Sequence, residues 1–244
     1  MNRKYRILQS AAISIVIMAL LAIVTPTENA PRILVLLGGS MPEGIIQGVT
    51  YFLFIYGMLE IWAIKKYIEK ETASFQKHFL PEQENWVLDA EEANKIKLDM
   101  QQIEQQEKYL LVDLIKKACT KYRLSKSSSE VLGLVDSQIR LYGEQMESEQ
   151  AFIRYTSWAI PSVGFIGTVL GIAASLGFAN EASTPEGIEK VTSMLAVAFD
   201  TTLVALVLSV VLMYCIHYIQ KEQDTLFTKM NSYMIENLVN RLYK

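Results

Sequence analysis

The segment Trp158–Ser175 reads WAIPSVGFIGTVLGIAAS. It is apolar enough to cross a membrane, but small residues recur in it every three or four positions. These small residues are Gly164, Gly167, Gly171 and Ser175; Pro161 precedes them and Thr168 lies among them. Because small side chains let a second helix backbone approach closely, the pattern predicts a membrane helix that packs within an assembly.

Apolar residues are strongly segregated along the whole chain, which is 51% hydrophobic and 20% charged. The apolar runs are Ile7–Val24, Ile45–Ile64, Trp158–Ala179 and Val191–Tyr218. A helix of about 20 apolar residues crosses the hydrocarbon core and satisfies its own backbone hydrogen bonds there. The sequence therefore predicts an all-α membrane protein with four transmembrane helices. We expect the first run to be retained, because it is longer than the apolar part of a signal peptide and no clear cleavage site follows it.

Basic residues predict the orientation of these helices. Three of the first six residues are basic and lysines follow the second and fourth runs, whereas the two short loops hold one basic residue each, Arg32 and Lys190. The positive-inside rule then places both termini in the cytoplasm. The predicted division is a transmembrane hairpin (1–66), a cytoplasmic helical region (67–155), two channel-type transmembrane helices (156–218) and a cytoplasmic C-terminal helix (219–244).

Helical periodicity continues between and after the apolar runs. The second helix is predicted to continue to about Phe79, before Pro81 interrupts it. Trp86–Ala118 carries apolar residues at helical spacing on one face, and Ser127 with Glu130 has the spacing of a capping box that starts a long helix towards the third run. Together with a similar stripe in the tail, these faces predict a cytoplasmic helical bundle or a docking surface for a separate protein.

Several functional classes find no support in the chain. The net charge is −3 and no basic stripe exists, so nucleic acid is not an expected partner. There is no phosphate loop, catalytic-triad pattern or glycine-rich nucleotide fingerprint. The two cysteines, Cys119 and Cys215, show neither a disulfide framework nor metal-ligand spacing. We therefore expect no enzymatic activity, no cofactor and no metal site.

The fourth run carries a second small-residue face. Its members, at steps of four, three and four, are Ala198, Thr202, Ala205 and Ser209. Asp200 lies about 160° around the helix from Thr202, so the two side chains cannot both face one pore squarely. Thr201 lies between them and is able to serve either face.

Acidic residues within membrane runs are costly. An ionised carboxylate at mid-membrane costs at least about 2.5–3.5 kcal/mol, which makes Asp200 a candidate functional residue. The other interpretation is structural: Asp200 bonds to a neighbouring helix and only locks the helices together. Glu60 is placed nearer a membrane end, where snorkelling or an interfacial ion pair explains it.

The last two runs resemble the MotA/TolQ/ExbB proton-channel family. The resemblance covers Arg154–Tyr218: RYTSWAIPSVGFIGTVLGIAAS, a short polar loop, and then AFDTTLVALVLS. Its motif residues are Pro161, Gly167-Thr168-Val169, Gly171-Ile172, Ala198, Thr202 and Leu206. The cytoplasmic insertion and tail match by architecture. The number of membrane helices, four, resembles that of the flagellar stator subunit. The residues of the motif are more similar to those of TolQ and ExbB.

The resemblance implies a ring, typically a pentamer, in the bacterial inner membrane around two copies of a single-span partner. The partner's membrane helix carries an aspartate that binds and releases the ion, and ion flow rotates the ring against the partner. Thr168 and Thr202 would then line the path of H⁺ or Na⁺, and Pro161 would be the bend proline. Asp200 has no counterpart among the acidic positions of the better-known members, so its candidacy rests on the bilayer argument alone.

Three hypotheses compete at this point. The leading hypothesis is the ring subunit of an ion-driven motor, since threonine hydroxyls both donate and accept hydrogen bonds and can replace water around an ion. The alternative is a non-conducting multispan scaffold that recruits partners through its cytoplasmic helices. An intramembrane enzyme using Asp200 as an acid is disfavoured, because a lone aspartate lacks a second acid or base, a nucleophile or a metal set.

Overall fold

The computed structural model describes residues 3–25, 31–39, 44–81 and 87–242, and these are helical almost throughout. The helices are α1 (Arg3–Val24), α2 (Arg32–Leu34), which runs into a π-turn (Val35–Gly39), α3 (Ile45–Ser74), α4 (Ala90–Gln106), α5 (Leu110–Ser125), α6 (Ser128–Gly177) and α7 (Pro185–Asn237). Short 3₁₀ turns follow α3, α6 and α7. Within the described ranges the only extended pairing is an isolated bridge between Leu88 and Leu242, so the predicted all-α class is confirmed.

Within the described residues, four helices are long and apolar enough to cross a membrane, namely α1, α3, α6 and α7. By length and apolar composition, these four helices agree with the four predicted transmembrane helices. The helices α6 and α7 have 50 and 53 residues, far more than the about 20 that cross a bilayer core. The start of α7 has a clear local cause, since Thr184 accepts a hydrogen bond from the Gly187 amide and proline occupies the first helical position.

The chain forms two compact units, and α3, α6 and α7 contribute residues to both. The first unit comprises Met1–Ala63 and Ala151–Tyr218, and the second comprises Ile64–Gln150 and Ile219–Lys244. The finer division into four segments stays a prediction.

In the first unit α1 packs against α3 through two polar contacts. The Ser14 hydroxyl donates to the Gly48 carbonyl at 2.8 Å. The Arg6 guanidinium donates two hydrogen bonds of 2.9 Å to the Glu60 carboxylate. Both charged side chains are mostly buried, at 13% and 11% exposure, so Glu60 is neutralised within the unit rather than left unpaired.

The second unit has its own hydrophobic core, built from α4, α5, the start of α6 and the end of α7. Its fully buried members include Leu88, Ala93, Leu114, Ile115, Val131, Val135, Met234 and Leu238. The helices α4 and α5 form an antiparallel hairpin, since Lys116 pairs with Glu104 at 2.6 Å and Arg123 donates to Asn94 at 2.8 Å. The helical stripes found in the sequence therefore bury against one another in this unit.

The stretch Trp86–Ala118, for which the sequence predicts helical spacing on one face, is divided by the structure into two helices, α4 and α5. Glu107 and Tyr109 have extended backbones between the two helices. Lys77 binds the side chains of both residues, and the Glu71 carboxylate accepts from the Leu110 amide at 2.8 Å. These contacts with α3 and its end outweigh the local helical preference, which is what periodicity alone detects.

Helix ends also differ slightly from the prediction. Trp86, at the start of that stretch, lies outside the described residues, and α4 begins after Asp89, which forms a complete capping box with Glu92. The helix α3 ends at Ser74, and its 3₁₀ extension stops at His78, whose φ of 47° is left-handed, just before the predicted limit of about Phe79. The helix α6 begins at Ser128, and Ser127 accepts from the Glu130 amide at 3.4 Å.

Asp113 predicts a pH dependence for the second unit. Burial raises the pKa of Asp113, but hydrogen bonds from Lys117 and Tyr142 and the charge of Lys116 outweigh burial and hold the pKa below its ordinary value. The ionised carboxylate therefore stabilises the fold above about pH 3.9, and this contribution is lost as the pH falls through the lowered pKa. We expect Asp113→Asn to flatten the acid limb of stability between about pH 5 and 2, measured by thermal unfolding.

Asp136→Asn is the matched control, since Asp136 is an exposed carboxylate on α6. Its stability profile should follow that of the unaltered protein. An acid limb unchanged by Asp113→Asn would contradict a stabilising role for this carboxylate.

Candidate functional site

The helices α6 and α7 run antiparallel and approach closely through small residues. A Cβ atom added to Gly171 would lie 2.6 Å from Ala198 Cβ, and one added to Gly164 would overlap Ala205 Cβ. One added to Gly167 would lie 2.5 Å from a side-chain oxygen of α7. Real Cβ atoms do not approach so closely, so these positions require glycine for this backbone separation.

A pair of threonine hydroxyls lies in the middle of this helix pair. Thr168 Oγ1 and Thr202 Oγ1 are in direct hydrogen-bond contact. Thr202 Oγ1 also lies 2.8 Å from the Gly164 carbonyl oxygen, and Thr168 Oγ1 lies 3.1 Å from that of Ala198. Because each hydroxyl has one proton and two lone pairs, the two protons can be shared among these four oxygen atoms in more than one arrangement.

The threonine pair reaches one surface of the first unit. Thr168 and Thr202 are both half-buried, and the residues beside them on that surface are exposed and apolar. These neighbours are Phe165, Ile172, Phe199 and Leu206. The site is therefore a small polar spot on an apolar helix surface.

Thr201 has a different environment from Thr202. It is buried, lies against Gly167, and donates to the Ala198 carbonyl of its own helix at 2.7 Å. Its oxygen is 3.4 Å from the Gly164 carbonyl across the interface. Thr201 thus fills the α6–α7 contact and does not reach the open surface.

The proline and the two serines of the predicted set also link α6 to α7. Pro161 lies inside α6 and has no amide proton, which leaves the carbonyl of Ser157 without its usual intrahelical donor. The Ser209 hydroxyl of α7 donates to that carbonyl at 3.4 Å. Towards the other end of the pair, Ser175 donates to the Val191 carbonyl at 3.3 Å.

Asp200 is separate from the threonine pair. It is 4% exposed and accepts two hydrogen bonds from the Arg32 guanidinium, at 2.7 and 2.9 Å. Sequence reasoning missed this partner. The signal was present, since Arg32 is the single basic residue of the first loop and Asp200 the single acidic residue of the last apolar run.

In the part of the chain that the structure describes, no three histidine, cysteine or acidic side chains are grouped so as to hold a metal ion. In the first unit, the described polar contacts between α6 and α7 are made by hydroxyl groups and main-chain carbonyls.

The fold and these packed helices define a multi-pass α-helical membrane protein with hydroxyl groups between its last two membrane helices. The profile of the MotA/TolQ/ExbB proton channel family matches residues 94–232, which is more than half of the 244-residue chain. The chain therefore belongs to this family, and the resemblance seen in the sequence is confirmed. Comparisons with curated proteins and with solved structures returned no match.

The family match extends well beyond the motif residues. It begins within α4, in the second unit, and includes all of α5 and α6 and most of α7. Both threonines and the small residues that surround them lie inside it, whereas Arg32 lies outside it. Family membership implies a function related to a proton channel.

Proposed function

We propose that this chain is the ion-conducting ring subunit of a proton- or sodium-driven membrane motor. The observation that carries the proposal is the contact between Thr168 and Thr202 on two closely packed membrane helices of a proton channel family member. In this proposal, ion flow moves or rotates the ring relative to a single-span partner.

The chemistry of the threonine pair suits this task. Two hydroxyls and the carbonyls of Gly164 and Ala198 provide four oxygens within a short stretch of apolar helix. Hydroxyl and carbonyl oxygens can replace the hydration shell of a cation or pass hydrogen bonds to a proton carrier, so the set is compatible with H⁺ and with Na⁺. A charge crossing the membrane releases about 2.3 kcal/mol per 100 mV, an energy source that requires no nucleotide.

The apolar surface around the pair supports an assembly. Phe165 and Phe199 are 64% and 63% exposed beside half-buried hydroxyls. Hydroxyl groups gain little from contact with lipid chains, whereas a protein helix with a polar group satisfies them and also covers the aromatic rings. We propose that a homopentamer encloses two copies of the partner helix on this surface, and that an aspartate of the partner exchanges the ion with the threonines.

We place the protein in the bacterial inner membrane with both termini in the cytoplasm. The basic residues at the N-terminus and after the second and fourth apolar runs support this orientation. The second unit is then the cytoplasmic helical bundle, in agreement with the ion pairs on its surface.

The assembly is tested by native mass spectrometry of the full chain purified in lipid from its own cells. We expect a complex of five copies with two copies of a single-span protein that has one aspartate in its membrane helix. A complex without such a partner would contradict the motor and favour a non-conducting scaffold that recruits partners through its second unit.

A further inference from the structure

The segment Pro31–Gly39, named the strap here, is held against α3 and α7 at three points. Arg32 binds Asp200 of α7 through two hydrogen bonds. The Tyr51 hydroxyl of α3 donates to the Leu37 carbonyl at 2.8 Å. The third point is Gly38, whose φ of 101° requires glycine and whose added Cβ would lie 3.0 Å from Gln47 Cβ.

The third contact buries the side-chain amide of Gln47, which lowers the stability of the fold. Gln47 is 1% exposed, and among the described residues neither its amide oxygen nor its amide nitrogen has a hydrogen-bond partner. A buried amide without partners has lost its hydrogen bonds to water, and no hydrogen bond within the protein replaces them. Covering Gln47 with the strap is therefore unfavourable by itself. The remaining contacts of the strap must offset that cost.

The ion pair is the strongest of these contacts and is unequally buried. The Asp200 side chain is 6% exposed, whereas the Arg32 side chain is 59% exposed. A two-pronged guanidinium–carboxylate contact is both strong and geometrically specific. Without Arg32, a buried carboxylate would be left uncompensated, whereas without Asp200 the guanidinium is 59% exposed and is not confined within the unit.

We propose that Asp200 is the anchor of the strap rather than an ion carrier, and that Arg32 is the positioning residue that holds the strap on α7. The adjacent residues, Thr201 and Thr202, belong to the α6–α7 contact, and this contact holds that part of α7 whether or not the strap is bound. This inference is independent of the proposed function, since it holds whether or not the chain conducts ions.

The test compares Arg32→Gln, Asp200→Asn and the double variant in the full chain, reconstituted in lipid nanodiscs. We expect the largest fall in Tm for Arg32→Gln, a clearly smaller fall for Asp200→Asn, and recovery of most of the Arg32→Gln loss in the double variant. In Asp200→Asn, the strap amides should exchange hydrogen about tenfold faster, while the amides of α7 near Thr202 keep their protection.

The pair Arg6–Glu60 supplies a matched control. Its two side chains are about equally buried, so Arg6→Gln and Glu60→Gln should lower Tm by similar amounts. If Arg32→Gln yields no folded protein while the double variant does, the rescue itself supports the anchor.

Two results would overturn the proposal. One is a double variant no more stable than Arg32→Gln. The other is an Asp200→Asn protein that loses ion flux while its Tm and strap exchange stay unchanged, which would identify Asp200 as an ion carrier.

Discussion

Replacing Thr202 by valine is expected to abolish ion flux while the assembly stays intact. Valine has nearly the same shape as threonine, but it cannot donate to the Gly164 carbonyl or bond to Thr168. A hydrogen bond between membrane helices contributes about 0.6 kcal/mol, so the loss of stability should be small. The effect on conduction is large because an oxygen of the proposed path is removed. The measurement is H⁺ or Na⁺ flux in membrane vesicles that contain the chain and its native partner.

Thr192→Val is the matched control for this prediction. Thr192 lies on the same helix and is exposed, and among the described residues its hydroxyl donates to two carbonyls of its own helix, those of Ile188 and Glu189. Its variant should conduct normally. Normal flux in Thr202→Val, with the same amount of assembled protein, would remove Thr202 from the path.

Gly164→Ala is expected to disrupt the packing of α6 against α7. The added Cβ would overlap Ala205 Cβ and lie 3.2 Å from both the Thr201 carbonyl oxygen and Thr202 Cα. Two of these atoms belong to the backbone of α7, so the helices must separate. Overpacking of this kind costs about 1–3 kcal/mol. We expect a lower Tm in nanodiscs and loss of flux, because the two path threonines move apart.

Two further variants test whether close packing of α6 against α7 is the cause of the expected fall in Tm. Gly133→Ala, in the part of α6 that belongs to the second unit, meets no atom within 4 Å and should stabilise the helix by about 0.5–1 kcal/mol. Ala205→Gly combined with Gly164→Ala should recover part of the lost stability, since it removes the nearest colliding atom. A Gly164→Ala protein as stable as the unaltered chain would contradict the close approach of the helices.

Local sequence patterns predicted the membrane helices and the small-residue faces. Hydropathy and length were sufficient for the four helices, because backbone hydrogen bonding in lipid allows few other structures. The steps between Ala198, Thr202 and Ala205 placed these residues on one face of α7, which is the face that contacts α6. The angle of about 160° around the helix also predicted that Asp200 points away from Thr202.

Local patterns did not predict the long-range contacts, although the lone charges of Arg32 and Asp200 offered a signal for one of them. The contact of Arg32 with Asp200 joins residues far apart in the chain, and no periodicity connects the two residues. The break between α4 and α5 depends on Glu71 and Lys77, which lie on or after a different helix. Tertiary contacts determine both the ion pair and the helix break. The distances between such residues cannot be read from a single sequence.

Whether Thr202 borders an ion path is measured by the reactivity of a cysteine at position 202 towards a charged, water-soluble thiol reagent in native membranes. Cys119 and Cys215 are first replaced by serine; burial already raises the pKa of Cys119 to about 12. Val16→Cys on the mostly exposed helix α1 is the lipid-facing control, and Thr225→Cys in the second unit is the water-facing control. If Thr202 borders an ion path, Thr202→Cys reacts while Val16→Cys does not. If Thr202→Cys is as unreactive as Val16→Cys while Thr225→Cys reacts, Thr202 does not border an ion path.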